Sequence, residues 1–364
     1  MPDASTLART ALLPVPHNRL THGSAEQAAV AAVVASGRWA GGERVEELEH
    51  RLAARAGVPF AVCVSSGLSA LRLSLQALGI GQGARVAVPA YSCVALANAV
   101  LGTGARPVAV DVEPTTWNID PAATSAAHAD ATIAVHTFGA RADIAALNAG
   151  GAPVIEDCAH AFGLAGLGSA GEVAVLSLYA TKLLGAGEGG AVLTRSASVA
   201  ATVRDLRDYT DRAPDGHHQN DKLTDLEAAL ALCQLDRLDA LLAARKEHAQ
   251  RYHHLLSEVA VPGGPLCLPA DSPDRAWYRY AVELAGGLTA AEAVTRLEAV
   301  GIHAAKPVTD WRPGLTDSAG AGRAPVAERA YRSLLSLPLY PTLTDGEQDR
   351  VADAVLELCD HDYD

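Results

Sequence analysis

Lys182 is the residue in this chain best placed for covalent chemistry. It closes the apolar, strand-like run Val173-Ala-Val-Leu-Ser-Leu-Tyr-Ala-Thr-Lys182 and precedes the glycine-rich Gly185-Ala-Gly-Glu-Gly-Gly190. Taken alone, a lysine is usually a solvated surface residue. Two other segments change that reading. Asp157 ends the apolar run Pro153-Val-Ile-Glu-Asp157, with His160 three residues on. Val64-Ser-Ser-Gly67-Leu-Ser-Ala70 sets small residues between a strand-like and a helix-like run. An amine, a strand-end carboxylate and a helix N-terminus able to receive a phosphate are the groups pyridoxal 5'-phosphate needs.

Each residue has a plain alternative beside its chemical one. Asp157 can pair with a pyridinium nitrogen and keep it protonated, or it can simply cap the segment after it. His160 can reach the cofactor's phenolic oxygen or cover a ring face, or it can be a structural histidine. Ser177, five residues before Lys182, can face the phosphate if the chain bends ahead of the lysine. Ser65-Ser-Gly67-Leu-Ser69 can be an ordinary serine-capped turn. Two further patterns lack the context their motifs require. Gly185-x-Gly187-x-x-Gly190 satisfies the dinucleotide fingerprint as a string but leads into a strand and opens no helix. The pairs His217-His218 and His253-His254 have no carboxylate or cysteine at ligand spacing, so no metal site is expected.

The positioning elements read as alternating strands and helices. Helices are expected at 25–36 and 44–56, each stopped by a glycine, then a strand at 60–64 and a helix through Leu78. Strands follow at 85–88, 106–112, 132–136, 153–156, 173–178 and 191–194, with a helix at 94–101. These strands are apolar throughout rather than alternating, as when helices cover both faces of a mostly parallel sheet. From Asp225 the pattern changes: a long, broken helix at 226–256, a linker at 262–273, a strand at 277–284, and helices at 290–300 and 345–358. The expectation is an α/β large domain over 1–245 and a smaller α+β domain over 246–364. The segment 313–323 has turn composition.

Composition bounds the function. The chain has 364 residues, 49% of them hydrophobic, and a net charge of −13. That charge disfavours nucleic acid and anionic membrane surfaces, and an anionic substrate would need basic residues gathered locally. Six scattered cysteines with no Cys-x-x-Cys pair fit a reducing cytoplasm. No secretory signal or membrane-length apolar run is evident; the run at 28–35 has the length of a buried helix.

The order of motifs resembles the DegT/DnrJ/EryC1/StrS sugar aminotransferases, a branch of fold type I PLP-dependent enzymes. Ser36-Gly-Arg-Trp-Ala-Gly-Gly42, Val64 through Leu71, Val88-Pro-Ala-Tyr-Ser-Cys93 and Val110-Asp-Val-Glu-Pro114 follow the family's order. So do His136-Thr-Phe-Gly139, Glu156-Asp-Cys-Ala-His160, Ser177 through Lys182, Gly187 through Thr194, Asn220-Asp-Lys-Leu223 and Leu337-Pro-Leu-Tyr-Pro341. The resemblance implies Lys182 as the Schiff-base lysine, Asp157 as the partner of the ring nitrogen and His160 beside the ring. It implies phosphate contacts from Ser66, Gly67, Leu68 and Ser177, the middle two through backbone groups. It also implies that Asn220 reaches the site of a neighbouring subunit in a homodimer, whose site the Arg38–Gly42 loop would border.

Four positions depart from the family, one of them Tyr209, which stands where a histidine is common. Leu68 stands where threonine is usual, leaving only a backbone contact. Cys93 stands where an aromatic residue commonly stacks on the cofactor: either the thiol gives a smaller, softer face or Tyr91 or His160 supplies the cover. Lys222 replaces the usual arginine, which weakens bidentate carboxylate recognition there. The implied reaction moves an amino group from an amino acid, glutamate by family habit, through pyridoxamine phosphate to a ketone of a nucleotide-linked sugar. A carbocyclic ketone, an inosose or aminoshikimate-type precursor, is the rival acceptor. A PLP-binding regulator without turnover is the rival of another class.

Overall fold

The computed structural model describes residues 13–212, 217–315 and 323–360. Most of the turn-rich 313–323 segment therefore lies outside the described residues, as does the extreme N-terminus. Two helices open the chain, α1 (Ser24–Ser36) and α2 (Glu43–Ala56). The large sheet then alternates with helices: β1 (Phe60–Val64), α3 (Gly67–Ala77), β2 (Arg85–Pro89), α4 (Val94–Leu101), β3 (Arg106–Val110), α5 (Pro121–Ala127), β4 (Ala131–Val135), α6 (Ile144–Asn148), β5 (Val154–Asp157), β6 (Val173–Ser177), β7 (Gly190–Thr194) and α7 (Ala197–Leu206). Helices α8 (Asp225–Asp236) and α9 (Leu238–Leu255) lead to β8 (Leu266–Cys267), β9 (Tyr280–Leu284), α10 (Ala290–Ala299), α11 (Pro325–Ser333), β10 (Leu334–Leu337) and α12 (Asp345–Asp360).

The seven large-sheet strands lie in the order β1-β7-β6-β5-β4-β2-β3. β7 runs antiparallel to both neighbours, and the pairings among β2 to β6 are parallel. Period-two alternation splits the strands between two cores. Val62 and Val64 pack with Val173, Val175 and Val192 under α3, α4 and α7. Ala61 and Cys63 pack with Ala174, Leu176 and Leu193 under α2, α8 and α9. Both faces are covered, which is why the sequence shows apolar runs and no alternation.

The second sheet, β10-β9-β8, is antiparallel and has its own core with α10 and α12. Helix α9 joins the two units: Leu238 sits in the large-sheet core, Ala249 and Tyr252 in the small one. It runs unbroken through residue 245, the expected boundary. Val15 pairs with Ile302 and packs in the small core, so the start of the described chain is tied to the C-terminal unit.

The expectation of a buried helix at 28–35 needs correction. Helix α1 is mostly exposed and buries only Glu26 and Val33 along its length, because its single described packing partner of any extent is α8. The strand expected at 173–178 is found at Val173–Ser177; after Leu178 the chain turns ahead of Lys182, with the Lys182 N–H donating to the Tyr179 carbonyl at 2.8 Å.

Candidate active site

The site lies at the carboxyl ends of β5 and β6, where open α/β sheets place their ligands. A cavity of about 370 Å³ opens there, lined among others by Ser66, Gly67, Cys93, Asp157, His160 and Lys182. Leu68 and Ser177 also line it. Of the residues expected to hold the cofactor, Asn220 alone does not line it; it is exposed.

One end of the cavity is built by close approach of three backbones. Ser66 caps α3, its Oγ accepting from the Ser69 N–H at 3.0 Å, which leaves the Gly67 and Leu68 N–H groups free at the helix start. A Cβ on Gly67 would stand 2.9 Å from Ser177 Cβ, so glycine lets this turn lie against the end of β6. A Cβ on Gly190 would stand 2.5 Å from the Ser66 carbonyl oxygen. The glycine-rich run after Lys182 is thus explained by packing: it brings β7 against the serine turn, and Ser66 bridges Gly189. Behind the turn, Asp221 accepts from Ser69 Oγ at 2.7 Å and Ser65 Oγ at 3.1 Å and pairs with the buried Arg72.

Asp157 is the last residue of β5 and only 5% exposed. The Ala159 N–H donates to its Oδ1 at 2.9 Å; among the described residues no side chain donates to the other oxygen. Burial pushes its carboxyl above the usual carboxylate range, against the pull of that N–H and of the Lys182 charge. A buried acid with one free oxygen facing a cavity is completed by a cationic N–H donor, which is what a protonated pyridine offers. With the free helix N–H groups at the other end, the donor set fits pyridoxal phosphate.

His160 is stacked on Tyr278, ring centroids 4.3 Å apart and planes 11° apart. The Phe138 N–H donates to its Nδ1 at 3.4 Å, so its own proton belongs on Nε2. Burial and then the neighbouring Lys182 charge hold it well below the usual histidine range, hence neutral. Lys182 Nζ lies 4.7 Å from the centre of the Tyr278 ring. Tyr91, considered from sequence as a cofactor cover, is buried edge-on to Tyr331 and Phe138. Cys93 is exposed at the start of α4 and faces the cavity.

Sequence reasoning missed Tyr278 and Arg279, which line the same cavity. Their signal was weak: two polar-capable residues at the start of an expected strand, 96 and 97 positions beyond Lys182. Among the described residues one buried trio could ligate a metal, His136, Glu156 and Cys158, and it is a closed hydrogen-bond network. His136 Nδ1 accepts from the Ala142 N–H and its Nε2 meets Glu156 at 3.0 Å. Glu156 also accepts from the Gly168, Ala170 and Gly171 N–H groups, so its lone pairs are engaged.

A seven-stranded sheet of this order, with a lysine, a buried aspartate and a helix N-terminus around one cavity, defines a fold type I PLP-dependent enzyme. Comparison with known proteins sharpens that class. The chain belongs to the DegT/DnrJ/EryC1/StrS aminotransferase family, whose model matches residues 21–356, and it is a PLP-dependent aminotransferase. It is similar to DesV of S. venezuelae, solved in complex with a ketimine intermediate: 34% identity, TM-score 0.83, covering 95% of this chain and 99% of that one. NtdA from Bacillus subtilis, solved with bound cofactor PMP, is 26% identical with TM-score 0.85 over 93% and 82% of the two chains. The synthase of 3-amino-5-hydroxybenzoic acid (AHBA) is 28% identical with TM-score 0.80 over 93% and 97%.

Proposed function

We propose that this aminotransferase takes an amino group from glutamate and delivers it to a ketone on a nucleotide-linked sugar, with Lys182 as its covalent and proton-transferring residue. The observation that carries the reading is the placement of Lys182, Asp157 and the α3 N-terminus around one cavity. When bound, pyridoxal phosphate supplies a ring that takes up the electron pair left when a substrate C–H bond ionises. Lys182 would hold the cofactor aldehyde carbon through its ε-amine; once displaced by the donor's amine, the same amine would take the proton from the donor carbon and deliver it to the former aldehyde carbon. Asp157 accepts the ring N–H and keeps it charged. The Gly67 and Leu68 N–H groups, with the Ser66 and Ser177 hydroxyls, receive the phosphate. Neutral His160 offers its Nε2–H beside the ring, and Cys93 gives the opening a small, soft wall.

A carbocyclic ketone is the second acceptor reading, supported by the likeness to AHBA synthase, whose named product is a carbocycle. A homodimer is supported by apolar surface left open on the described chain: Val34 is 50% exposed, Trp39 55% and Tyr209 56%. Exposed Asn220 and the Arg38–Gly42 loop, exposed over 38–41, would then complete a neighbour's site. A cytoplasmic setting is supported by six free cysteines; no described helix is long and apolar enough to cross a membrane.

Borohydride reduction followed by peptide mass mapping tests the lysine. The cofactor mass is expected on the peptide holding Lys182, and Lys182→Ala is expected to lose the visible absorption band and turnover. A label on Lys222, Lys246 or Lys306, or an unchanged spectrum, refutes the assignment. Bleaching of the band by glutamate, followed by a screen of keto-sugars and keto-cyclitols, separates the acceptors and excludes a binder without turnover.

A further inference from the structure

Positive charge is concentrated beside Lys182 in a chain whose overall balance is strongly acidic. Arg279 lines the main cavity, and its Cζ lies 5.3 Å from the centre of the same Tyr278 ring that Lys182 Nζ approaches. His160 occupies one face of that ring at stacking distance. Arg279 makes one side-chain hydrogen bond, to His17 Nε2 at 3.2 Å, and no carboxylate pairs with it among the described residues. His17 brings no charge of its own: burial, then the Arg279 charge, lowers it to about 4. The acids lining the cavity are Asp157, committed to the ring nitrogen in the reading above, and Glu188, exposed at its edge.

Beyond Tyr278 and Thr181 the cavity adjoins a smaller one of about 80 Å³ that shares Arg279 and has Arg245 on its wall. Arg245 is buried and held only by the carbonyls of Tyr278 and Leu339, at 3.2 and 3.1 Å. Burial lowers it to about 10, which marks a cation with no anionic partner at hand. Lys222, at the family's usual arginine position, is by contrast engaged: its Nζ donates to Asp208 at 2.7 Å and lies over Tyr209.

We propose that Arg279 is the residue that receives a carboxylate of the amino donor, a role that Lys222 does not fill within this chain. The inference rests on the transamination reading above and deepens it. A guanidinium presents paired N–H donors that match a carboxylate's two oxygens, which an ammonium cannot do. Tyr278 spaces the two charges, so an amino acid held at Arg279 has its nitrogen turned toward Lys182. Arg245 adds positive potential from the smaller cavity without facing the main one.

The test uses Arg279→Gln and Arg279→Lys holoenzymes with glutamate and glutamine as donors, and glutarate as a non-reacting carboxylate. The visible band is expected intact in both variants. In Arg279→Gln the KM for glutamate is expected to rise roughly 10- to 150-fold, the worth of a charge-assisted pair, with kcat within a few-fold. Glutarate affinity for the resting holoenzyme, by calorimetry, is expected to fall by a similar factor for a distal-carboxylate contact, and Arg279→Lys to lie between. Equal loss for glutamate and glutamine assigns the α-carboxylate; loss for glutamate alone assigns the distal one. Unchanged donor KM in Arg279→Gln, with its band intact, overturns the proposal. A missing band in the unmutated protein would instead overturn the underlying reading.

Discussion

Replacing Asp157 with asparagine should push the empty and the loaded protein in opposite directions. In the empty protein the carboxyl is buried, is held by one N–H and has its ionisation disfavoured. Its folded-state pKa is above the unfolded value, so the folded chain binds more protons there. The stability tied to this group is therefore present below the unfolded pKa and is lost as pH rises through the folded one. Asparagine keeps an oxygen for the Ala159 N–H and removes the charge, so the apo variant should melt no lower than the parent at pH 8. With cofactor the sign reverses. A ring cation facing a neutral amide is an uncompensated buried charge, and breaking such a pair costs about 3–5 kcal/mol. At 1.36 kcal/mol per decade, kcat/KM should fall by about 10² to 10⁴-fold, with weaker cofactor retention. Scanning calorimetry of the apo forms and steady-state kinetics of the loaded forms are the assays. An Asp157→Asn enzyme within tenfold of the parent, or an apo variant clearly less stable at pH 8, would refute the role given to this carboxylate.

Two further changes probe the frame around the site. Glu156 is lowered to about 2, because the His136 hydrogen bond and charge and the Gly168 and Gly171 N–H groups outweigh burial, the largest single influence and one that raises it. Its stabilisation is present above about 4.5 and is lost as pH falls toward about 2, so Glu156→Gln should flatten acid unfolding in that window and destabilise the fold at pH 7 by about 1–3 kcal/mol; an unchanged acid limb in urea titrations would count against it. Gly190→Ala places a methyl 2.5 Å from the Ser66 carbonyl and should cost about 1–3 kcal/mol and weaken cofactor binding, read by melting temperature and pyridoxal phosphate titration; unaltered affinity would mean that β7 does not support the phosphate turn.

The spacing of apolar runs determined most of the large sheet. Helix α4 at 94–101 and strand β1 at 60–64 match their expected limits, since glycine, proline and apolar composition act within a few residues. Helices α5, α6, α7 and α11 were not legible. The first two have seven and five residues, too few turns for a period to emerge. Helices α7 and α11 each bury a short stripe, Val199, Ala200 and Val203 in one and Ala327, Ala330 and Tyr331 in the other, in which alanine marks the apolar face weakly.

The sequence by itself supplied Lys182, Asp157, His160 and the serine turn, because each sits at the end of a local apolar run or the start of a helix. Only the tertiary structure decided what surrounds them. Tyr278 and Arg279 join the site because α9 and β9 fold the C-terminal unit back over the large sheet, a contact between residues nearly a hundred positions apart that no local pattern encodes. The same holds for the glycines after Lys182: their spacing matches a nucleotide fingerprint only as a string, and it is the separation of 2.5 Å from a Cβ on Gly190 to Ser66 that assigns Gly190 its part. Local periodicity reports which face of an element is apolar; which elements meet there depends on loop closure and packing over the whole chain.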